Sequence, residues 1–90
     1  MKYAVTHLNG YLFKTDVYLF ETEKEAKDFL KKEFEKKTKE YVARFGENFV
    51  FYSSHDECLA AHIDYVWEDR TSSVMDQYWF GVVGDVNSPS

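Results

Sequence analysis

Residues Thr22 to Gly46 read TEKEAKDFLKKEFEKKTKEYVARFG. Thr22 can accept from the amide of Glu25 while the Glu25 carboxylate reaches back to the amide of Thr22, which is a capping box and marks a helix start. Beyond it Ala26, Phe29, Leu30, Phe34, Tyr41, Val42 and Phe45 recur mostly every three or four residues, leaving an outer face of lysine and glutamate, until Gly46 offers a left-handed stop. A helix over about 23–45 is roughly 34 Å long at about 1.5 Å per residue, enough to span the back of a small sheet diagonally. An amphipathic element of that length needs a partner surface, and the flanking sequence has to supply it.

Both flanks read as strands. Lys2 to Leu8 alternates Tyr3, Val5 and His7 with Ala4, Thr6 and Leu8. Asn9-Gly10 then suits a type I′ turn, and Tyr11 to Phe20 is again rich in β-formers, so the spacing predicts an antiparallel hairpin. After the helix, Phe49 to Ser53 reads as a third strand and Val74 to Val83 as the last. Cys58 to Trp67 alternates Leu59, Ala61, Ile63, Tyr65 and Trp67 with smaller or polar residues, which favours a fourth strand paired through Glu68 to Ser73 with the last one. Ser54-x-x-Glu57 and Glu57-Cys58-Leu59-Ala60-Ala61 offer a helix as the competing reading. The expected fold is α+β, an antiparallel sheet in the order β-β-α-β-β-β with one long amphipathic helix on one face, as a single domain over 1–86 with a flexible tail at 87–90.

The chain has 90 residues, of which 17 are Phe, Tyr or Trp, with four glycines, one proline and one cysteine. A domain of this size buries only about 60 to 65% of its unfolded surface, so large apolar side chains have to carry its stability. The aromatic content excludes a disordered acidic tail. No run of 18 apolar residues exists and no basic-then-apolar leader opens the sequence, which predicts a cytoplasmic protein with no membrane partner. A lone cysteine agrees with a reducing compartment.

The net charge of −5 is unevenly placed: residues 1–20 sum to +1, residues 21–47 to zero, and residues 48–90 to −6. The helix is therefore a solvated zwitterionic face, while Asp56, Glu57, Asp64, Glu68, Asp69, Asp76 and Asp85 have only Arg70 to offset them. That balance disfavours direct nucleic-acid binding and favours a basic protein partner. Aromatics interleaved with carboxylates, in Asp64-Tyr65-Val66-Trp67-Glu68-Asp69 and Asp76-Gln77-Tyr78-Trp79, suit an interface of aromatic anchors with an acidic rim. The candidate binding residues are accordingly Asp64, Glu68, Asp69, Asp76, Trp67 and Trp79.

All imidazole and thiol ligand chemistry sits at His7, His55, Cys58 and His62. The last three lie in one nine-residue stretch, and His7 from the first strand could complete a structural zinc site of one thiolate and three imidazoles. If 55–62 is helical, the three side chains share a face. If it is a strand, Cys58 and His62 lie about 13 Å apart, too far to share one ion. His55 and Cys58 then hold the metal with His7 or Asp56. Cys58 with a histidine base lacks an oxyanion hole, a nucleophile elbow or a cleft, and no HExxH pattern is present, so the expectation is that the chain is not an enzyme.

A start at Met-Lys-Tyr followed directly by a β-hairpin, a Lys/Glu-rich amphipathic helix and a short acidic aromatic sheet resembles small accessory proteins of phages and other mobile elements, among them anti-CRISPR proteins that inhibit RNA-guided nucleases. The resemblance covers the whole chain in size, charge and element order. It implies a viral inhibitor acting by binding in the host cytoplasm, with Asp64, Glu68, Asp69 and Asp76 docked on a basic surface of a large partner such as a Cas nuclease and blocking nucleic-acid loading. The alternative is a small structural or regulatory module, monomer or homodimer, that self-associates through the uncovered face of its sheet.

Overall fold

Helix α1 spans Glu23–Phe45 in the computed structural model, which describes residues 2–10, 12–55 and 60–83. Its start depends on Thr22, whose hydroxyl oxygen accepts from the Glu25 amide at 3.2 Å. The Glu25 carboxylate accepts from the Thr22 hydroxyl at 3.0 Å instead of from the Thr22 amide, so the expected reciprocal cap closes through side chains. The buried helical residues are Ala26, Leu30, Phe34 and Thr38, a four-residue repeat. Thr38 fills the gap in the apolar pattern because its hydroxyl donates to the Phe34 carbonyl at 2.8 Å and so loses nothing by leaving water. Gly46 ends the helix at φ 96° and ψ 148°, with its N–H donating to Val42 O at 2.9 Å. That is an extended positive-φ conformation open almost only to glycine.

The strands are β1 (Lys2–Asn9), β2 (Lys14–Phe20), β3 (Val50–His55), β4 (Ala60–Val66) and β5 (Ser72–Val83). They form one sheet in the order β2-β1-β5-β4-β3 with every neighbouring pair antiparallel, so the fold is α+β with the expected element order. The last strand lies at the centre. Phe49 belongs to a single 3-10 turn, Glu47–Phe49, and the third strand starts one residue later than expected. The strand reading of the fourth segment holds from Ala60 onward, while Trp67 falls in the turn after it. Tyr11, Cys58 and the tail at 87–90 lie outside the described residues.

The first hairpin has a longer loop than a type I′ turn. Asn9 is still a strand residue, opposite Lys14 on β2 and Asp76 on β5. Asn9 Oδ1 accepts from the Leu12 amide at 2.8 Å and Phe13 takes the positive φ of 52°. Gly10 is needed for a different reason. Its N–H donates to Met75 O at 2.8 Å, and a Cβ there would stand 2.8 Å from Val74 O. Met75 is the extra residue of a bulge, since β4 pairs Ile63 with Asp76 but Asp64 with Val74.

α1 covers the face that carries Val5, Val50, Ala61, Ile63 and Tyr78, which with Ala26, Leu30, Phe34 and Met75 make the core. It crosses the sheet obliquely: Phe29 meets Tyr18 and Phe20 of β2 at 4.7 and 5.1 Å, and Phe45 meets Tyr65 of β4 at 5.2 Å. The opposite face has no helix over it among the described residues, and strand alternation places Val17, Leu19, Trp79 and Val83 there, all substantially exposed. No helix is long and apolar enough to cross a membrane.

Two glycines thus carry separate constraints. Gly46→Ala is expected to cost about 1–3 kcal/mol through backbone strain alone, since its Cβ would meet only Phe49 at 3.8 Å. Gly10→Ala is expected to cost a comparable amount by pushing the first hairpin off the bulge. Urea unfolding of both variants measures this, and an unchanged midpoint for either contradicts the constraint assigned to it.

Candidate functional site

The β4–β5 turn presents the densest group of the residues singled out from sequence. Trp67 N donates to Thr71 O at 2.8 Å and Arg70 N to Trp67 O at 2.9 Å, with Arg70 at φ 69°. This is a three-residue hairpin loop whose third residue takes the left-handed conformation. Asp69 Oδ1 accepts from the Thr71 amide at 3.0 Å and the Thr71 hydroxyl at 2.6 Å, fixing the loop from inside. The same two bonds, from the hydroxyl first, hold the Asp69 carboxyl below the usual carboxylate range. Trp67 is 51% exposed and its Nε1 donates to Ser73 Oγ at 3.1 Å. Its ring meets Tyr65 edge-on at 4.7 Å and 70°, and Phe49 lies 6.2 Å beyond Tyr65, nearly parallel to it. These rings with Glu68, Asp69 and Thr71 line an open hollow of about 600 Å³.

The turn projects. Pairing of β5 with β1 stops at Asp76 opposite Asn9, whereas pairing with β4 continues to Ser72 opposite Val66, so the hairpin extends four residues past the end of β1. Trp79 does not join this surface: it lies on the open face, opposite Thr6 and Ala60. It stands seven positions from Ser72, roughly 23 Å along the strand.

Two of the acidic candidates are corrected by the structure. Asp76 has no exposed surface, and Asp64 is 9% exposed, with its Oδ1 3.2 Å from His62 Nδ1. Asp76 faces α1 by regular alternation with Tyr78, the two standing opposite Ile63 and Ala61, and the bulge at Met75 shifts only the residues before it, pairing Val74 with Asp64. Neither residue can form part of an acidic rim.

Asp76 is instead the hub of a buried polar cluster. Its Oδ1 accepts from His7 Nε2 and, at 3.2 Å, from Asn9 Nδ2, while its Oδ2 accepts from the Tyr41 hydroxyl on α1. Burial pushes the Asp76 carboxyl up, but the hydrogen bonds from His7 and Tyr41, helped by the charge of Lys37, outweigh it and hold the group below its ordinary value. Burial and then the bond to Asp76 push the Tyr41 phenol up. The His7 ring stacks on Tyr78 at 4.4 Å and 5°. Tyr78 is itself buried, and its hydroxyl has no hydrogen-bond partner among the described residues. Sequence reading missed Tyr41 as a polar group, since its phenol counted only toward the apolar face of the helix.

The four-ligand metal set is also corrected. His7 faces the helix and is bound to Asp76, whereas His62 alternates to the open face beside Phe51, 5.9 Å away between ring centres. One ion cannot touch both. His55 ends β3 opposite Ala60, and Cys58 lies outside the described residues. Among the described residues no three His, Cys, Asp or Glu side chains gather as a metal site.

The cluster predicts a pH profile. A depressed Asp76 pKa contributes stability above the unfolded value of about 3.9, lost as pH falls below it. A raised Tyr41 pKa contributes stability below about 10, lost as pH rises beyond it. Asp76→Asn and Tyr41→Phe are each expected to cost about 1.5–3 kcal/mol at neutral pH and to flatten the acid and alkaline limbs respectively. Denaturation midpoints measured across pH check this, and a variant that retains the wild-type limb overturns its assignment. No family model, curated protein or solved structure matches the chain.

Proposed function

We propose that this chain is a small non-enzymatic binding protein, of the phage anti-CRISPR inhibitor type, which docks the tip of its β4–β5 hairpin on a basic nucleic-acid-binding surface of a large partner such as a Cas nuclease. The observation that carries the reading is the projecting turn itself, in which half-exposed Trp67 stands beside the exposed carboxylates Glu68 and Asp69. An aromatic anchor next to an acidic rim is the composition that binds and orients on a positive surface. Surfaces that hold a nucleic acid by its backbone are positive by necessity. The ordering of the loop by Asp69 and Thr71 lowers the entropy lost on docking.

The test is a cleavage assay with an RNA-guided nuclease titrated with this chain at two salt concentrations. Inhibition is expected to weaken at least about tenfold when Glu68 and Asp69 are both reversed to lysine, and to weaken with added salt. Asp76 is left intact because reversing it would unfold the helix contact. Inhibition that ignores the reversal rejects the tip, and no inhibition rejects the nuclease partner. Light scattering on the same samples separates the second reading, which the exposed Val17, Leu19, Trp79 and Val83 favour. A mass that rises with concentration in both forms alike points to self-association through the open sheet face.

A zinc is proposed only in reduced form, on His55 and Cys58 with Asp56 and a water in the fourth tetrahedral position, the variant of the site that requires neither His7 nor His62. Protein purified without a His tag is expected to carry one zinc per chain and to melt lower after chelation. Absence of both effects removes the metal from the proposal.

A further inference from the structure

The hollow at the hairpin tip has the chemistry of a cation site, and the occupant follows from its walls. Tyr65 and Trp67 meet at 70° and form a corner of two π surfaces. Phe49, nearly parallel to Tyr65 with ring centres 6.2 Å apart, leaves no slot for a planar group between the two rings, so a guest has to lie against Trp67 and the outer side of the corner. Two carboxylates border the opening, Glu68 and Asp69. Asp69 takes both bonds from Thr71 on Oδ1, so the side chain is already oriented and neither of those bonds occupies Oδ2. A second hollow, which shares Phe49, Trp67 and Glu68 with the first, has Arg70 in its wall and no Asp69, so a cation is favoured in the first. The chain already packs cations on its own rings elsewhere: the Arg44 guanidinium lies 5.4 Å from the Phe45 ring centre and Lys27 Nζ 5.6 Å from that of Phe80.

We infer that this hollow receives an arginine side chain of a protein partner, its guanidinium stacked on Trp67 and paired with Glu68 and Asp69. The inference rests on the hairpin-tip reading above and names what the tip grips. Arginine fits better than lysine for two reasons. Its guanidinium is planar and weakly hydrated, so it stacks on an aromatic face with little loss of solvation, and its fork can address two carboxylate oxygens at once. A lysine ammonium satisfies the charge but neither geometric condition. A neutral ligand of the same shape satisfies the geometry but leaves the two carboxylates uncompensated.

The experiment uses the full chain with Trp79→Phe, which leaves Trp67 as the single indole and removes a side chain from the opposite face. Three short peptides are titrated against it, identical except that each carries arginine, lysine or citrulline at the same positions, while Trp67 fluorescence and its indole N–H resonance are followed. The expected result is saturable perturbation of Trp67 with the arginine peptide binding at least about fivefold more tightly than the lysine peptide, and no saturation with citrulline. Glu68→Gln with Asp69→Asn should abolish the response. Trp67→Ala, with fold checked by circular dichroism and binding read by calorimetry, should erase the preference for arginine over lysine. Equal binding of arginine and lysine peptides, or binding that leaves Trp67 unperturbed, overturns the inference. Its failure is distinguishable from that of the parent reading. A nuclease inhibited through Glu68 and Asp69 with no arginine preference rejects only the hollow, and arginine capture without nuclease inhibition rejects only that partner.

Discussion

A carboxylate with no solvent exposure stands between the sheet and the helix, and its compensation links three elements of the fold. Removing Asp76 from water is costly unless donors replace the lost hydration. They come from β1 (His7 and Asn9) and from α1 (Tyr41), while Asp76 itself belongs to β5. Each donor is placed by a different feature of the chain. Strand pairing aligns His7 with Tyr78 and Asn9 with Asp76, and the helix must run far enough, and at the right angle, to bring Tyr41 over the same point. A non-directional hydrophobic contact tolerates sliding of a helix over a sheet; a clasped carboxylate does not.

The bulge sits directly before this residue on β5. Asp76 and Tyr78 share the helix face by plain alternation, and without the extra residue Met75 the same alternation would put Val74 on that face too, instead of opposite Asp64 on the other side. The bulge in turn brings the backbone at Val74 and Met75 against the first hairpin, which is tolerated because Gly10 has no side chain. A buried acid, the bulge residue next to it and a glycine 65 positions earlier in the sequence are therefore neighbours in one structural unit. Its position also sets where β1 ends and hence how far the β4–β5 hairpin projects beyond it.

What could be read from the residues alone was whatever depends on local period. The helix from Thr22 to Gly46 and the strand alternation around Val5, Ile63 and Tyr78 are such features, and each element was legible to within a few residues. Features that depend on register were not. Asp76 and Glu68 are equally acidic in sequence, and nothing local tells that one is clasped under the helix and the other exposed at a turn. His7 was grouped with His55, Cys58 and His62 by ligand chemistry, but strand alternation and the carboxylate of Asp76 decide its company. Asn9-Gly10 carries the signature of a tight turn, yet the glycine answers to a close backbone approach by β5. Two helix residues escape the local period in opposite senses, Thr38 as a polar residue buried by bonding its own helix and Tyr41 as an aromatic one recruited for its hydroxyl.

Burying Asp76 and shielding Asp64 also changes the electrostatics that the sequence suggests. Seven acids over residues 48–90 read as a diffuse negative half. Within the described part of that half, two of them are withdrawn from solvent, and Glu68 and Asp69 remain exposed as neighbours on a projecting turn. Charges this close act together, well inside a Debye length of about 10 Å at 0.1 M salt, whereas a partner surface farther away senses only a screened remainder. The negative field is therefore short-ranged and directional, carried on a loop already ordered by Asp69 and Thr71 and set beside the exposed indole of Trp67. In the proposed binding reading, such an arrangement would select a partner by what that partner places within contact distance of the tip, without the rest of the surface having to be acidic.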